Sequence, residues 1–119
     1  AVTPGPFYIR LSRLKTLLVH TEGCRFILGR AETMREGRDA TIIALGLMVA
    51  QALEAAQNLK RDGIDCRVLN MATLKPIDEQ AIISAARDTG AIVTAEEHLE
   101  HGGLGKVYFK VYAQRVPGK

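Results

Sequence analysis

From Asp39 onward, apolar and polar positions fall into a repeating order: a short apolar run, a longer amphipathic stretch, a glycine, then the next run. Thr41-Ile42-Ile43-Ala44-Leu45 is almost continuously apolar, the pattern of a strand covered on both faces, and Gly46 ends it. Beyond it Val49, Ala52, Leu53, Ala56 and Leu59 recur at helical spacing, with Gln51, Glu54, Gln57, Asn58 and Lys60 largely on the other side. Gly63 is placed to cap that helix. Ile64 to Met71 alternates and is β-branched enough for a second strand. Lys75-Pro76-Ile77-Asp78 then turns the chain, with Asp78 positioned to cap a helix that runs to about Thr89. Ala81, Ile82, Ala85 and Ala86 form its apolar stripe, Gly90 closes it, and Ala91-Ile92-Val93-Thr94-Ala95 predicts a third strand.

The spacing between these strands admits only helical crossovers, so they are expected to lie parallel in one sheet with helices on both faces. The N-terminal third has a different character. Phe7 to Leu11 and Phe26 to Met34 read as strands, joined by an irregular linker over Lys15 to Gly23. Glu36-Gly37-Arg38-Asp39 is suited to turn the second of them antiparallel into Thr41, as a hairpin at the sheet edge. The predicted fold is therefore α/β, a doubly wound and mostly parallel sheet with one antiparallel edge strand.

Composition narrows the function classes. A chain of 119 residues, 47% of them hydrophobic, suffices for one domain with a core and not for two. No apolar run reaches the roughly 18 residues a membrane span needs. The first residues lack the pattern of a secretory signal, so the cytoplasm is the expected location. Residues 1 to 38 hold seven Lys or Arg against three Asp or Glu, so the excess positive charge sits at the N-terminus. Those basic residues are scattered among Leu, Ile and Gly without stacking aromatics, which argues against nucleic acid as a partner. Cys24 and Cys66 fall in different predicted elements without metal-ligand spacing, so neither a disulfide framework nor a zinc site is expected.

Several motifs carry candidate chemistry. Glu96, Glu97, His98, Glu100 and His101 cluster after the third strand, at the end where α/β sheets bind ligands. Neighbours on an extended chain point alternately, however, so the expectation is a polar loop at a surface or interface and not a metal site. Gly102-Gly103-Leu104-Gly105 opens the last helix and could bring backbone amides to an anion, but close packing of a strand-to-helix turn is the plainer reading. Lys75 to Asp78 reads as turn and cap. Ser84 and the three histidines show no nucleophile-base spacing. On residue type alone, Arg13 is a solvated arginine following an edge strand.

GPFYIRLSR at Gly5 to Arg13, FILGRAETMREGRDATIIALG at Phe26 to Gly46, RVLNMATLKPID at Arg67 to Asp78 and AIVTAEEHLEHGGLG at Ala91 to Gly105 together resemble the C-terminal part of transketolase, including its separately encoded subunits. Related domains occur in 2-oxo acid dehydrogenase β subunits and deoxyxylulose-phosphate synthase, but Glu96-Glu97-His98 leans towards transketolase. The resemblance implies that residues 1 to 25 are the end of a pyrimidine-binding domain and a linker, and that 26 to 119 are the C-terminal domain, short of its final strand. It implies two-carbon ketol transfer between sugar phosphates, with thiamine diphosphate and magnesium held by domains outside this chain. In this chain it implies no catalytic, cofactor-binding or metal residues. Ser12-Arg13 matches the family pair whose arginine grips the substrate phosphate, a task suited to a permanently charged guanidinium fork. Arg10 is the neighbouring candidate, although alternation along a strand would point it away from Arg13. The implied partners are a catalytic N-terminal part or subunit and a second copy, giving a homodimer, and the isolated chain is expected to be inactive. The contrasting reading is a non-catalytic interaction or regulatory module that keeps the fold for assembly.

Overall fold

The structure is a computed structural model that describes residues 3–13, 15–99 and 101–116. Four strands and three helices follow one another as β1 (Glu32–Arg35), β2 (Ala40–Ala44), α1 (Met48–Arg61), β3 (Cys66–Asn70), α2 (Glu79–Asp88), β4 (Ile92–Ala95) and α3 (Leu104–Arg115). The sheet order is β1-β3-β2-β4, with β2 parallel to both β3 and β4 and β1 antiparallel to β3. The doubly wound α/β expectation holds, antiparallel edge strand included.

The parallel register pairs Ile42 with Val68 and Ile43 with Leu69, so like faces of β2 and β3 stack. Ile42, Ala44, Cys66 and Val68 form one core with Val49, Ala52 and Ala56 of α1, whose small side chains let the helix lie close on the sheet. Ile43, Leu69 and Met71 face the other way and pack with Ile82 and Ala85 of α2 and Leu104 and Val111 of α3. Gly63 lies just beyond α1 with φ +84°, where a glycine is favoured, and its N–H donates to the Lys60 carbonyl at 3.1 Å. Asp78 caps α2 as expected: Oδ1 accepts from Ala81 N at 3.0 Å. Its Oδ2 accepts from Ala31 N at 2.9 Å, so one buried carboxylate also ties the lead-in of β1 to α2.

The N-terminal third departs from expectation in three ways. First, β1 forms no hairpin with β2; its partner is β3. The turn before β2 is held against the start of β3, where Arg38 N and Asp39 N both donate to the Asp65 carbonyl, and a Cβ on Gly37 would collide with the Cys66 and Arg67 backbone. That close approach lets the chain cross the end of β3 and leaves β1 on its far side. Second, the strand read into Phe26 to Met34 shrinks to Glu32–Arg35. Gly29, at φ +76°, sits in a turn closed by Arg30 N donating to Ile27 O at 3.2 Å, and its own N–H goes to Thr73 Oγ1 at 3.0 Å. The backbone donors of this segment are therefore spent on side chains and a turn, not a ladder. Third, Phe7 to Leu11 joins no sheet among the described residues, and its large apolar side chains are exposed.

Candidate functional site

The chain leaves β2 over one face through α1 to β3, and reaches β4 on the other side of β2 through α2. Connections thus part on either side of β2, and the crevice beyond the carboxyl ends of β2 and β4 is the topological switch point at which such sheets bind ligands. An open cleft of about 640 Å³ lies there. Its floor is Leu45, Gly46 and Leu47 after β2 together with Glu96, Glu97 and His98 after β4, and Arg10 to Arg13 form its remaining wall. Gly46 permits the abrupt exit from β2 with φ +60°.

Arg13 and Arg10 line the same cleft, along with Leu11 and Ser12. The expected opposition of the two arginines rested on strand alternation, and this segment is not a strand. Two guanidinium groups and the Glu97 carboxylate thus share one solvent-open depression. Such an arrangement suits an anion that also offers hydroxyls, because carboxylate and imidazole groups accept or donate beside the arginine forks.

Glu96 has a different task. Its Oε2 accepts from Leu104 N at 2.7 Å and its Oε1 from Gly105 N at 3.0 Å, so the carboxylate closes the N-terminus of α3 from eight residues away. Gly103 at the N-cap has no side chain to do this. A negative group also opposes the positive end of the helix dipole. A Cβ on Gly103 would run into the Glu96 carboxylate, and one on Gly105 would come within 3.3 Å of Thr94 Oγ1. The glycine series therefore does present amides to an anion, and the anion is the protein's own. The sequence held a signal for this: a helix start with no Ser, Thr, Asp or Asn cap, preceded by acidic residues at a strand end.

Farther along the same loop, His98 donates from Nδ1 to the Leu99 carbonyl at 2.9 Å. Glu100 lies outside the described residues, and no three metal donors of the Glu96 to His101 loop converge among those described. Ser84 donates to Asp88 Oδ2 at 2.9 Å on the surface of α2, and Arg67 Nη1 donates to the same oxygen at 3.1 Å. These two donors, Ser84 foremost, hold the Asp88 carboxyl below the usual carboxylate range. Lys75-Pro76 packs at the turn before α2, with Pro76 close against Gly29. One grouping the sequence reading did not assemble is His20, Cys24 and Glu32, whose donor atoms converge beside a second cleft. Their spacing along the chain gave no hint, because Glu32 belongs to β1 and the other two to the linker.

Residues 29–116 match the family model described as transketolase, C-terminal domain. The chain is 46% identical over 113 residues to a 6-deoxy-6-sulfo-D-fructose transketolase subunit from a Clostridium species, covering 95% of this chain and 35% of that protein. It is 41% identical over 112 residues to an apulose-4-phosphate transketolase subunit of Phocaeicola vulgatus, covering 93% of this chain and 36% of the relative. A solved structure described as a split gene transketolase, inactive beta4 tetramer, superposes with a TM-score of 0.83 at 48% identity, over 86% of this chain and 34% of that one. The chain thus spans about a third of the length of these relatives.

Proposed function

The chain belongs to the transketolase C-terminal domain family, and from that premise we propose that it is the C-terminal part of a transketolase, transferring a two-carbon ketol unit between sugar phosphates together with a cofactor-binding part. The observation that carries this reading is the cleft at the switch point, where Arg10, Ser12 and Arg13 meet the loops after β2 and β4. Arg13 holds the substrate phosphate. Its fixed charge and planar fork anchor the sugar at the end remote from the reacting carbonyl, and that anchoring orients the substrate.

Thiamine diphosphate and magnesium belong to the other part of the enzyme. In support, the helix N-terminus that would cradle a diphosphate at this crevice is taken by Glu96. These residues do not fit the cofactor, and none of its chemistry is assigned to them. Residues 1 to 25 are the end of the preceding domain and a linker, and 26 to 119 the C-terminal domain, which braces the assembly and builds a homodimer in the cytoplasm. The exposed Phe7, Tyr8, Ile9 and Leu11 support this division, since they are apolar and lack a partner sheet among the described residues.

Two measurements test the proposal. The isolated chain, given thiamine diphosphate and magnesium, is expected to show no ketol transfer, and measurable turnover would refute the division of labour. In the assembled enzyme Arg13→Ala should lower kcat/KM for phosphorylated acceptors by roughly 10- to 100-fold, the loss expected for a charge-assisted hydrogen bond, while sparing unphosphorylated ones. Equal losses on both substrate types would remove Arg13 from the phosphate.

A further inference from the structure

At the carboxyl end of β3, on the same edge of the sheet as the switch-point cleft but toward β1, the linker folds back onto the start of β1. The turn Thr21 to Cys24, closed by Cys24 N donating to Thr21 O at 3.2 Å with Gly23 at φ +86°, brings His20 and Cys24 to the same side. Glu32 opens β1 directly opposite. Nδ1 of His20 lies 3.2 Å from Oε2 of Glu32, and Sγ of Cys24 lies 3.4 Å from that same Nδ1 and 3.3 Å from Oε1 of Glu32. Three different donor types, an imidazole nitrogen, a sulfur and a carboxylate, thus converge, with the carboxylate meeting the ring nitrogen through one oxygen and the sulfur through the other, and with donor atoms of all three within 4.8 Å of one another.

We propose that His20, Cys24 and Glu32 form a binding site for a divalent cation of the zinc class, which fastens the linker to the first strand of the domain. Tetrahedral zinc, with bonds of about 2.0 to 2.3 Å, spaces its donors roughly 3.3 to 3.6 Å apart; His20 Nδ1 and Cys24 Sγ already stand 3.4 Å apart, and the Glu32 carboxylate has only to turn one oxygen toward the ion. The donor set fits in kind as well. Thiolate and imidazole select zinc over magnesium or calcium, and a carboxylate is an ordinary third ligand. Without the ion the Cys24 thiol donates to Glu32 Oε1; the ion displaces that proton to solvent, and thiolate and carboxylate then supply two negative charges that balance it. All three donors are open to solvent, the His20 and Glu32 side chains being 36% and 45% exposed and Cys24 exposed, so the ion can enter without local unfolding. The fourth position faces the adjoining cleft of about 400 Å³, between Leu18, Phe26 and Ala72, and is open to water or a small ligand. This departs from the expectation drawn from cysteine spacing, because two ligands come from one turn and the third from a strand.

Cobalt(II), which reports thiolate ligation by its sulfur-to-metal charge-transfer absorption, is the probe, with zinc as competitor and the 119-residue chain as target. One equivalent of cobalt is expected to bind with the charge-transfer band and to be displaced by zinc. Cys24→Ser should abolish the band, and His20→Ala and Glu32→Gln should each weaken binding at least about tenfold. Cys66→Ser and His98→Ala should leave it unchanged, which separates this site from general metal adhesion. Far-UV circular dichroism checks that each variant is folded, and all three ligands lie outside the buried core. Zinc should also slow alkylation of Cys24 in the unaltered chain. Failure to reach one equivalent, absence of the band, or binding indifferent to any of the three ligand substitutions would overturn the site. None of these readouts depends on ketol transfer.

Discussion

Residues 3–28 and residues 32–116 draw on the same apolar vocabulary and bury it very differently. In the first region Tyr8 is 90% and Leu18 91% exposed, and Phe7, Ile9, Leu11, Phe26, Ile27 and Leu28 are exposed as well. In the second, Ile43, Val68, Met71, Ile82 and Leu104 are fully buried, and the exposed large apolar residues are Ile64, Val93, Leu99 and Phe109. Local pattern alone does not distinguish a strand whose partners lie in the same chain from one that needs partners elsewhere. The difference is the surface each finds to pack against. The proposed function gives that contrast a meaning: there the domain closes on itself and the N-terminal stretch serves the rest of the enzyme.

The sharpest way to break this comparison is to truncate one side chain from each region and unfold the isolated chain in urea. Ile43→Ala removes the centre of the core beneath α2 and α3 and should cost about 2 to 5 kcal/mol, visible as a lower midpoint. Tyr8→Ala should change the stability of the isolated chain by no more than about 0.5 kcal/mol. In the assembled enzyme the same Tyr8→Ala should loosen association with the cofactor-binding part. Comparable losses from both substitutions in the isolated chain would mean that the N-terminal stretch belongs to the domain after all.

An intermediate effect sharpens the contrast inside the domain, at the seam between β4 and α3. Glu96→Ala removes the carboxylate that caps α3 and should cost about 1 kcal/mol, the usual worth of an N-cap. Gly103→Ala should cost a similar amount by pushing that carboxylate aside. Because both act through one contact, the double variant should be scarcely less stable than either single one. Full additivity would show that Gly103 matters for another reason.

What could be read in the sequence follows the same division. The strands β2, β3 and β4 and the helices α1 and α2 are legible because each has a complete period of apolar residues and a local boundary signal, such as Gly63 ending α1 or Asp78 starting α2. The placement of β1 was not legible. It depends on Gly37 pressing against the β3 backbone, a long-range contact that no window around Gly37 contains. The apolar run Phe26 to Leu28 looked like part of a strand because the turn at Gly29 and the hydrogen bonds to Thr73 and Asp78 come from distant residues. At the site, Arg13 and the Glu96 to His98 loop each stand out by residue type and position, but their meeting in one cleft is a product of topology. The capping role of Glu96 is hidden among its acidic neighbours, because a strand-end carboxylate reaching a helix start looks the same in sequence as a loop of surface charge.

The smallest expected effect concerns pH, and it separates the domain from the N-terminal stretch once more. Asp65 accepts from Lys60 Nζ at 2.9 Å and from Arg35 Nη2 at 3.3 Å, tying the last turn of α1 to β1. The Lys60 hydrogen bond is the chief reason its carboxyl titrates below the usual carboxylate range, and the nearby positive charges of Lys60, Arg35 and Arg38 add to it. Asp88 is lowered likewise by Ser84 and Arg67. A carboxyl whose folded value is depressed binds its proton less readily in the folded chain than in the unfolded one. Its contribution is therefore complete above the ordinary carboxylate range and disappears as pH falls through the lowered folded value. Urea midpoints of the isolated chain should drop between neutral pH and strong acid. In Asp65→Asn and Asp88→Asn the neutral-pH midpoint should fall slightly and the acid-dependent drop should shrink. An unchanged slope in both aspartate variants would place the acid sensitivity outside the sheet domain.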